Sequence, residues 1–290
     1  MALERTIVLD NLILNKDELS FYKRQTGIED EEKLKEHIAR TAQKALEVYP
    51  YHCIGNFGFL RFRILRAKSG YNQLLELGST RPNAIFLDLG CCFGNDLRKA
   101  IEDGFPAQNV IASDLRADFW NFGHALFNSS PLTFPVAFVS GNVLDSSFIS
   151  IQPPVQEPLP NVASISLQSF LSTNPKSLDP LRGHISAIHT SAFFHLFDKD
   201  EQSLIAKKLA SLLSPLPGSI IFGSQRGACE PQEVARNSSG TSYYRHSPET
   251  WKAMWEGEVF SGNNDMMIRV DAGLSFDGGK EILWWTITRL

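Results

Sequence analysis

A chain of 290 residues, 43% hydrophobic and 11% aromatic, can bury one large core or a core with an appendage. Its formal net charge of -4 argues against a binder of nucleic-acid backbone, because no basic stripe is present to release counterions. Its 20 Phe and 5 Trp exceed what a polar-substrate enzyme needs, so a greasy pocket competes with core packing as their use.

The opening stretch "MALERTIVLDNLILNKDE" carries charge where a signal peptide needs an apolar segment. No run of about 18 apolar residues follows, so no membrane span is expected. Cys53, Cys91, Cys92 and Cys229 have neither metal-ligand nor disulfide-framework spacing. The expectation is a cytoplasmic protein with no metal, whose sequons at Asn128 and Asn237 stay unglycosylated. Oligomeric state is not legible.

Residues 16–48, "KDELSFYKRQTGIEDEEKLKEHIARTAQKALEV", hold two helical patterns separated by "TGIED". Leu34, Ile38, Ala42 and Leu46 recur at helical spacing opposite a charged face. "YPYHCIGNFGFLRFRIL" interleaves aromatics with glycines, and "SGYNQLLELGS" is a further helix. Residues 1–80 are therefore expected to form an N-terminal helical cap on a second domain at 81–290.

From 83 onward strands and helices alternate. "NAIFLDLG", "NVIASD", "PVAFVSGNV", "HISAIHTS" and "GSIIFGS" read as strands. "NDLRKAIEDG", "LRADFWNFGHALF", "KDEQSLIAKKLASLLS" and "SPETWKAMWEG" read as helices. Asn95 and Ser247 are the expected helix caps, with Pro248 at a first helical position and Gly104 as a terminator. Alternation of this kind implies crossover units and a parallel sheet. The end differs: "DMMIRVDAGLSF" turns through "DGG" into "EILWWTITRL", a hairpin that makes one final strand antiparallel. The expected fold is α/β, a Rossmann-like, doubly wound, seven-stranded sheet with an antiparallel last strand. A Pro/Ser-rich stretch from 146 to 183 includes a Pro-rich insert at 150–160 that matches no assigned feature.

"DLGCCFGND", residues 88–96, is a strand end, a glycine turn and a helix start, the crevice-forming unit of such sheets. A dinucleotide turn wants glycine at positions one, three and six, which are Gly90, Cys92 and Asn95. An S-adenosylmethionine turn wants them at one, three and five, which are Gly90, Cys92 and Gly94. Only the middle position fails the second pattern. Asp88 is placed to accept from the donor's ammonium. Asp114, with Leu115 beside it, ends the second strand and can take both ribose hydroxyls. Asn142 and Val143, after the third strand, are placed to read adenine. Cys91 and Cys92 read as small packing residues, since adjacent cysteines bridge only with strain.

The whole pattern resembles the fungal S-adenosylmethionine-dependent methyltransferases of secondary metabolism, typified by the meroterpenoid carboxyl methyltransferase of the austinol pathway. The resemblance rests on "DELSFYKRQTGIEDEEKLKEHI", "YPYHCIGNFGFL", "FLDLGCCFGNDLRK", "AIHTSAFFHLFDKDEQ", "FGSQRG" and "RHSPETW". It implies S-adenosyl-L-methionine as cofactor and transfer to an oxygen, a carboxylate in the favoured version, of a hydrophobic terpenoid or polyketide-derived acceptor.

The acceptor is expected over the fourth strand's end. His189 and His195 are the candidate catalytic residues, since a hydroxyl acceptor needs a base whereas a carboxylate does not. His189 is also counted against the donor. Ser191, Phe194, Gln225, Arg226 and His246 are candidate substrate contacts. Tyr51, Phe57 and Phe59 form either a lid or the glue between cap and sheet. Two alternatives stay open: a cyclase or isomerase that keeps the donor site, and a non-catalytic protein that senses the donor.

Overall fold

A computed structural model describes residues 7–157, 167–173, 175–235, 242–261 and 267–290. The front opens with α1 (Lys16–Thr26) and α2 (Glu31–Val48). Asn15 caps α1 by accepting from the Glu18 N–H at 2.9 Å, and the Glu18 carboxylate accepts from the Asn15 N–H at 2.9 Å. Gly27 ends that helix at φ 72°, a left-handed turn that costs glycine least, and Asp30 caps the next. The "TGIED" boundary thus holds a stop signal and a start signal within five residues. After α3 (His52–Gly55) the chain makes two short 3-10 turns and enters α4 (Lys68–Thr80).

The remaining elements follow in order: β1 (Ile85–Leu89), α5 (Asn95–Glu102), β2 (Val110–Asp114), α6 (Ala117–Leu126), β3 (Ala137–Ser140) and α7 (Leu167–Ser172). Then come β4 (Ile185–His189), α8 (Lys199–Leu212), β5 (Ile220–Arg226), β6 (Gln232–Ala235), β7 (Ser242–Arg245), α9 (Pro248–Met254), β8 (Ile268–Asp277) and β9 (Lys280–Arg289). Seven strands form one sheet in the order β3-β2-β1-β4-β5-β9-β8. The first five strands are parallel, and β9 runs antiparallel to both neighbours. This is the doubly wound architecture, with the antiparallel strand where the "DGG" turn implied it. Gly278 and Gly279 both have positive φ, at 55° and 72°, as a two-residue hairpin loop requires.

Strand order reverses between β1 and β4, which opens a crevice at the carboxyl ends. Register brings chemistry to that edge: Asp88 pairs with His189 across β1 and β4, and Asp114 with Ser140 across β2 and β3.

The two faces are covered differently. Tyr71, Leu74 and Leu77 of α4 pack with Phe86, Ile220 and Phe222 of the sheet. Phe21, Tyr22, Leu34 and Ile38 of α1 and α2 instead cluster with Phe93, Phe119 and Phe127 around the loop after β1 and α6. On the other face Trp251, Trp255 and Trp285 are fully buried, with Trp251 and Trp285 centroids 5.0 Å apart and Phe194 against both. Much of the aromatic surplus is therefore core.

Two local expectations change. Gly94, not Asn95, is the cap of α5, and the Asn95 side chain turns away to donate to the Tyr22 hydroxyl (2.6 Å) and the Phe59 carbonyl (2.7 Å). The β6–β7 hairpin falls where no strand was expected. The sequon at Asn237 and residues 158–160 of the Pro-rich insert lie outside the described residues. Ser247 caps α9 as expected, with Pro248 at its first position. No helix among the described residues is long and apolar enough to cross a membrane.

Asn95→Ala should lower unfolding free energy by about 1–3 kcal/mol, because the buried Phe59 carbonyl loses its partner. Urea unfolding checks this, and an unshifted midpoint would reject the pin between α1 and α5.

Candidate functional site

Three alternate residues of the turn after β1 take left-handed backbone: Gly90 at φ 74°, Cys92 at 52° and Gly94 at 77°. The one-three-five pattern is therefore a demand of the backbone, and Cys92 meets it at a cost of about 1–2 kcal/mol relative to glycine. Its N–H donates to Asp114 Oδ2 at 2.9 Å, and Asp114 Oδ1 accepts from the Arg116 N–H at 3.1 Å. Burial pushes the Asp114 carboxyl up, and these N–H groups pull it back. Three more of the turn's donors are engaged: Gly90 and Cys91 N–H on the Ser113 carbonyl, and Gly94 N–H on that of Cys91.

Gly90, Cys92, Asp114, Leu115, Asn142 and Val143 line one cavity of about 170 Å³, closed by Tyr51, Cys53, Phe193 and Leu196 among others. Its far wall is fixed from behind. Lys208 of α8, fully buried, donates to the Val143 carbonyl at 2.8 Å and the Leu144 carbonyl at 3.0 Å, while burial pulls its ammonium below the usual lysine range.

A second cavity of about 330 Å³ shares Tyr51, Cys53, Ala192 and Leu196 with the first. Its lining is basic: Arg61, Arg63, Arg66, Arg226 and Lys280, with His195 and Gln225. Arg61 is paired with Glu18 and Arg66 with Asp277. Among the described residues no carboxylate lies within ion-pair reach of Arg63 or Arg226. Burial, then Arg245 and Arg63 nearby, lower the Arg226 pKa. In a chain of net charge -4 this is a local reversal of sign.

Between the cavities and the core runs a buried relay. His189 Nδ1–H donates to Asp88 Oδ1 at 2.7 Å, His189 Nε2 lies 2.8 Å from Ser191 Oγ, and Ser191 Oγ accepts from the Ser224 N–H at 3.0 Å. Burial alone would lower the His189 pKa, but the Asp88 charge and hydrogen bond, joined by Asp96, hold it above the ordinary value. Burial pushes Asp96 up to about 6; Asp88 adds to the rise, while His189 and the Ile64 N–H oppose it.

The sequence-derived residues thus separate. Asp88, Gly94 and His189 do not line the first cavity. Tyr51, His195, Gln225 and Arg226 line the second cavity; Phe57, Phe59, Phe194 and Ser191 line neither. Phe57 and Phe59 belong to the cap's apolar cluster. His246 faces a separate groove beside Lys199, with its Nδ1 3.0 Å from Thr250 Oγ1. Arg63 and Lys208 were missed. The former had a signal in the arginines of "RFRILR"; the latter reads as a solvent-facing helix residue in "LIAKKLASLL".

A carboxyl with a folded-state pKa near 6, against an ordinary 3.8, takes its proton first in the folded state. Its contribution to stability is complete below about pH 4 and is lost as pH rises through about 6. Wild type should therefore lose stability relative to Asp96→Asn across that window in urea titrations; parallel profiles would contradict it.

A family model described as the meroterpenoid methyltransferase N-terminal domain matches residues 8–60. The O-methyltransferase phiE of a fungal species is 34% identical over 225 residues, covering 78% of this chain and 65% of that protein. The methyltransferase ausD of Penicillium brasilianum is 31% identical over 226 residues, covering 78% of this chain and 70% of that protein. The asnovolin E/chermesin D methyltransferase nvfJ of Aspergillus novofumigatus aligns at 28% identity over 298 residues, covering 100% of this chain and 96% of that one. Among solved structures, a SAM dependent methyltransferase from Aquifex aeolicus aligns at a TM-score of 0.40 and 13% identity, covering 78% of this chain and 99% of that chain, too slight a likeness to argue from. The extent of the ausD match, with the matching N-terminal unit, means that this chain belongs to the fungal meroterpenoid methyltransferase family.

Proposed function

We propose that this protein transfers a methyl group from S-adenosylmethionine to a carboxylate oxygen of a hydrophobic, terpenoid- or polyketide-derived acid. The observation that carries the acceptor half is the basic second cavity, which shares a wall with the first. The name of the nvfJ relative, a methyltransferase of asnovolin E and chermesin D, supports a natural-product acceptor of this kind.

The first cavity fits an adenosyl sulfonium better than a pyrophosphate. A pyrophosphate needs free N–H groups at the turn, and those of Gly90, Cys91, Cys92 and Gly94 are all committed. Asp114 would repel it as well. Each Asp114 oxygen accepts one N–H and keeps a further lone pair, enough for two ribose hydroxyls. Leu115 and Val143 offer apolar faces to adenine. Asn142, whose Oδ1 accepts from the Leu144 N–H at 3.0 Å, has its amide NH₂ left for a ring nitrogen. When bound, S-adenosylmethionine supplies an electrophilic methyl group on a sulfonium.

The protein's own contribution is alignment and exclusion of water. A carboxylic acid is ionised near pH 7 and asks for no base. Arg63 and Arg226 would hold one carboxylate oxygen by charge-assisted hydrogen bonds and leave the other to react. Tyr51 and Leu196, on the shared wall, would keep solvent from the meeting point. The His189–Asp88 relay lies outside both cavities and acts as scaffold.

Incubation with trideuteriomethyl donor and a panel of lipophilic acids and their matching alcohols tests the reading. Acids should gain one labelled methyl group and alcohols none; an unchanged product mass or methylation of the alcohols alone would overturn it. Asp114→Ala should weaken donor binding by about tenfold or more, given two lost charge-assisted hydrogen bonds. Lys208→Met should raise the donor KM several-fold with little change in kcat, because it loosens a binding wall. Calorimetric titration and steady-state kinetics read both.

A further inference from the structure

Resting on the carboxylate reading above, we infer that the acceptor carries a hydroxyl close to its carboxylate, and that Gln225 is the residue that reads it. Gln225 lies near the end of β5, where pairing with Leu283 of β9 fixes its backbone, and it lines the second cavity. It is 2% exposed, yet neither Oε1 nor Nε2 has a hydrogen-bond partner among the described residues. A buried side chain left wholly unpaired is uncommon, and it is tolerated where a ligand completes it.

The amide dictates what that ligand must offer. It presents a donor pair on nitrogen and an acceptor on oxygen. A carboxylate only accepts, so it can satisfy Nε2 and never Oε1. Arg63, Arg226 and Lys280 are donors, but none of them reaches Oε1 within hydrogen-bond distance. Oε1 then needs an O–H or N–H from the ligand itself. An amine would arrive as a cation and be repelled by the same arginines. A hydroxyl, whether alcoholic, enolic or phenolic, meets the requirement without charge. Gln225 lines the same cavity of about 330 Å³ as Arg63 and Arg226, so the two recognised groups lie within one small chamber, as in an α- or β-hydroxy acid.

The test uses a polycyclic terpenoid carboxylic acid and its β-hydroxy analogue, otherwise identical, with wild type and Gln225→Leu. A site built to bond a hydroxyl rejects the analogue lacking it. Wild type should favour the hydroxy acid by about tenfold or more in kcat/KM. Gln225→Leu should lose that preference and use the two acids at equal kcat/KM. Its unliganded melting temperature should hold or rise, since an unpaired buried amide is gone. If Leu fails to fold, Gln225→Met, closer in shape, carries the same comparison. Equal use of both acids by wild type, or a preference that survives the substitution, would overturn the inference and leave carboxylate methylation standing. If neither acid is methylated while alcohols are, the carboxylate reading fails and takes this inference with it.

Discussion

The Asp114 carboxylate holds the crevice in shape. It reaches back 22 residues to the Cys92 N–H and forward to that of Arg116, so one buried anion fastens the turn after β1 to the turn after β2. The hydrogen bond to the Cys92 N–H helps offset the strained backbone of that left-handed residue. The arrangement also bears on the electrostatics of the crevice, because the N–H groups of Gly90, Cys91, Cys92 and Gly94 are spent internally. On the proposed reading such a crevice would favour a ligand that brings hydroxyls over one that brings phosphates.

The N-terminal helices contribute more than cover. Asn95, the first residue of α5, ties that helix to Tyr22 and to the Phe59 carbonyl, so the turn's exit depends on the segment that precedes the sheet in sequence. The same segment supplies Tyr51 and Cys53 to the wall between the cavities and Arg61, Arg63 and Arg66 to the basic one. Residues 8–60, the part matched by the family's N-terminal model, therefore supply Tyr51 and Cys53 to that wall, and the three arginines follow directly after them.

The sheet was legible because its signals are local. Alternation of strands and helices, the capped boundary in "TGIED", and two glycines in the last turn each leave a mark within a few residues. The positions of Gly90, Cys92 and Asp114 at strand ends were legible for the same reason. What escaped depends on pairing across long separations. Asp88 and His189 are 101 residues apart, and only the β1–β4 register sets them side by side as a buried hydrogen-bonded pair. Lys208 has a similar history: helical periodicity places it beside Lys207, and only the docking of α8 behind Val143 shows that it is buried. The β6 and β7 strands have four residues each, too few for a clear alternation.

The sign of the second cavity has a further effect on turnover. Esterification converts an anion into a neutral molecule, so on the proposed reading the guanidinium groups that gather the acid lose their hold the moment it reacts. The shared wall at Tyr51 and Leu196 keeps the two chambers in contact, and discharge of one would not require the other to open. A lipophilic product that would otherwise linger would then be released by its own loss of charge, and inhibition by that product would be weak.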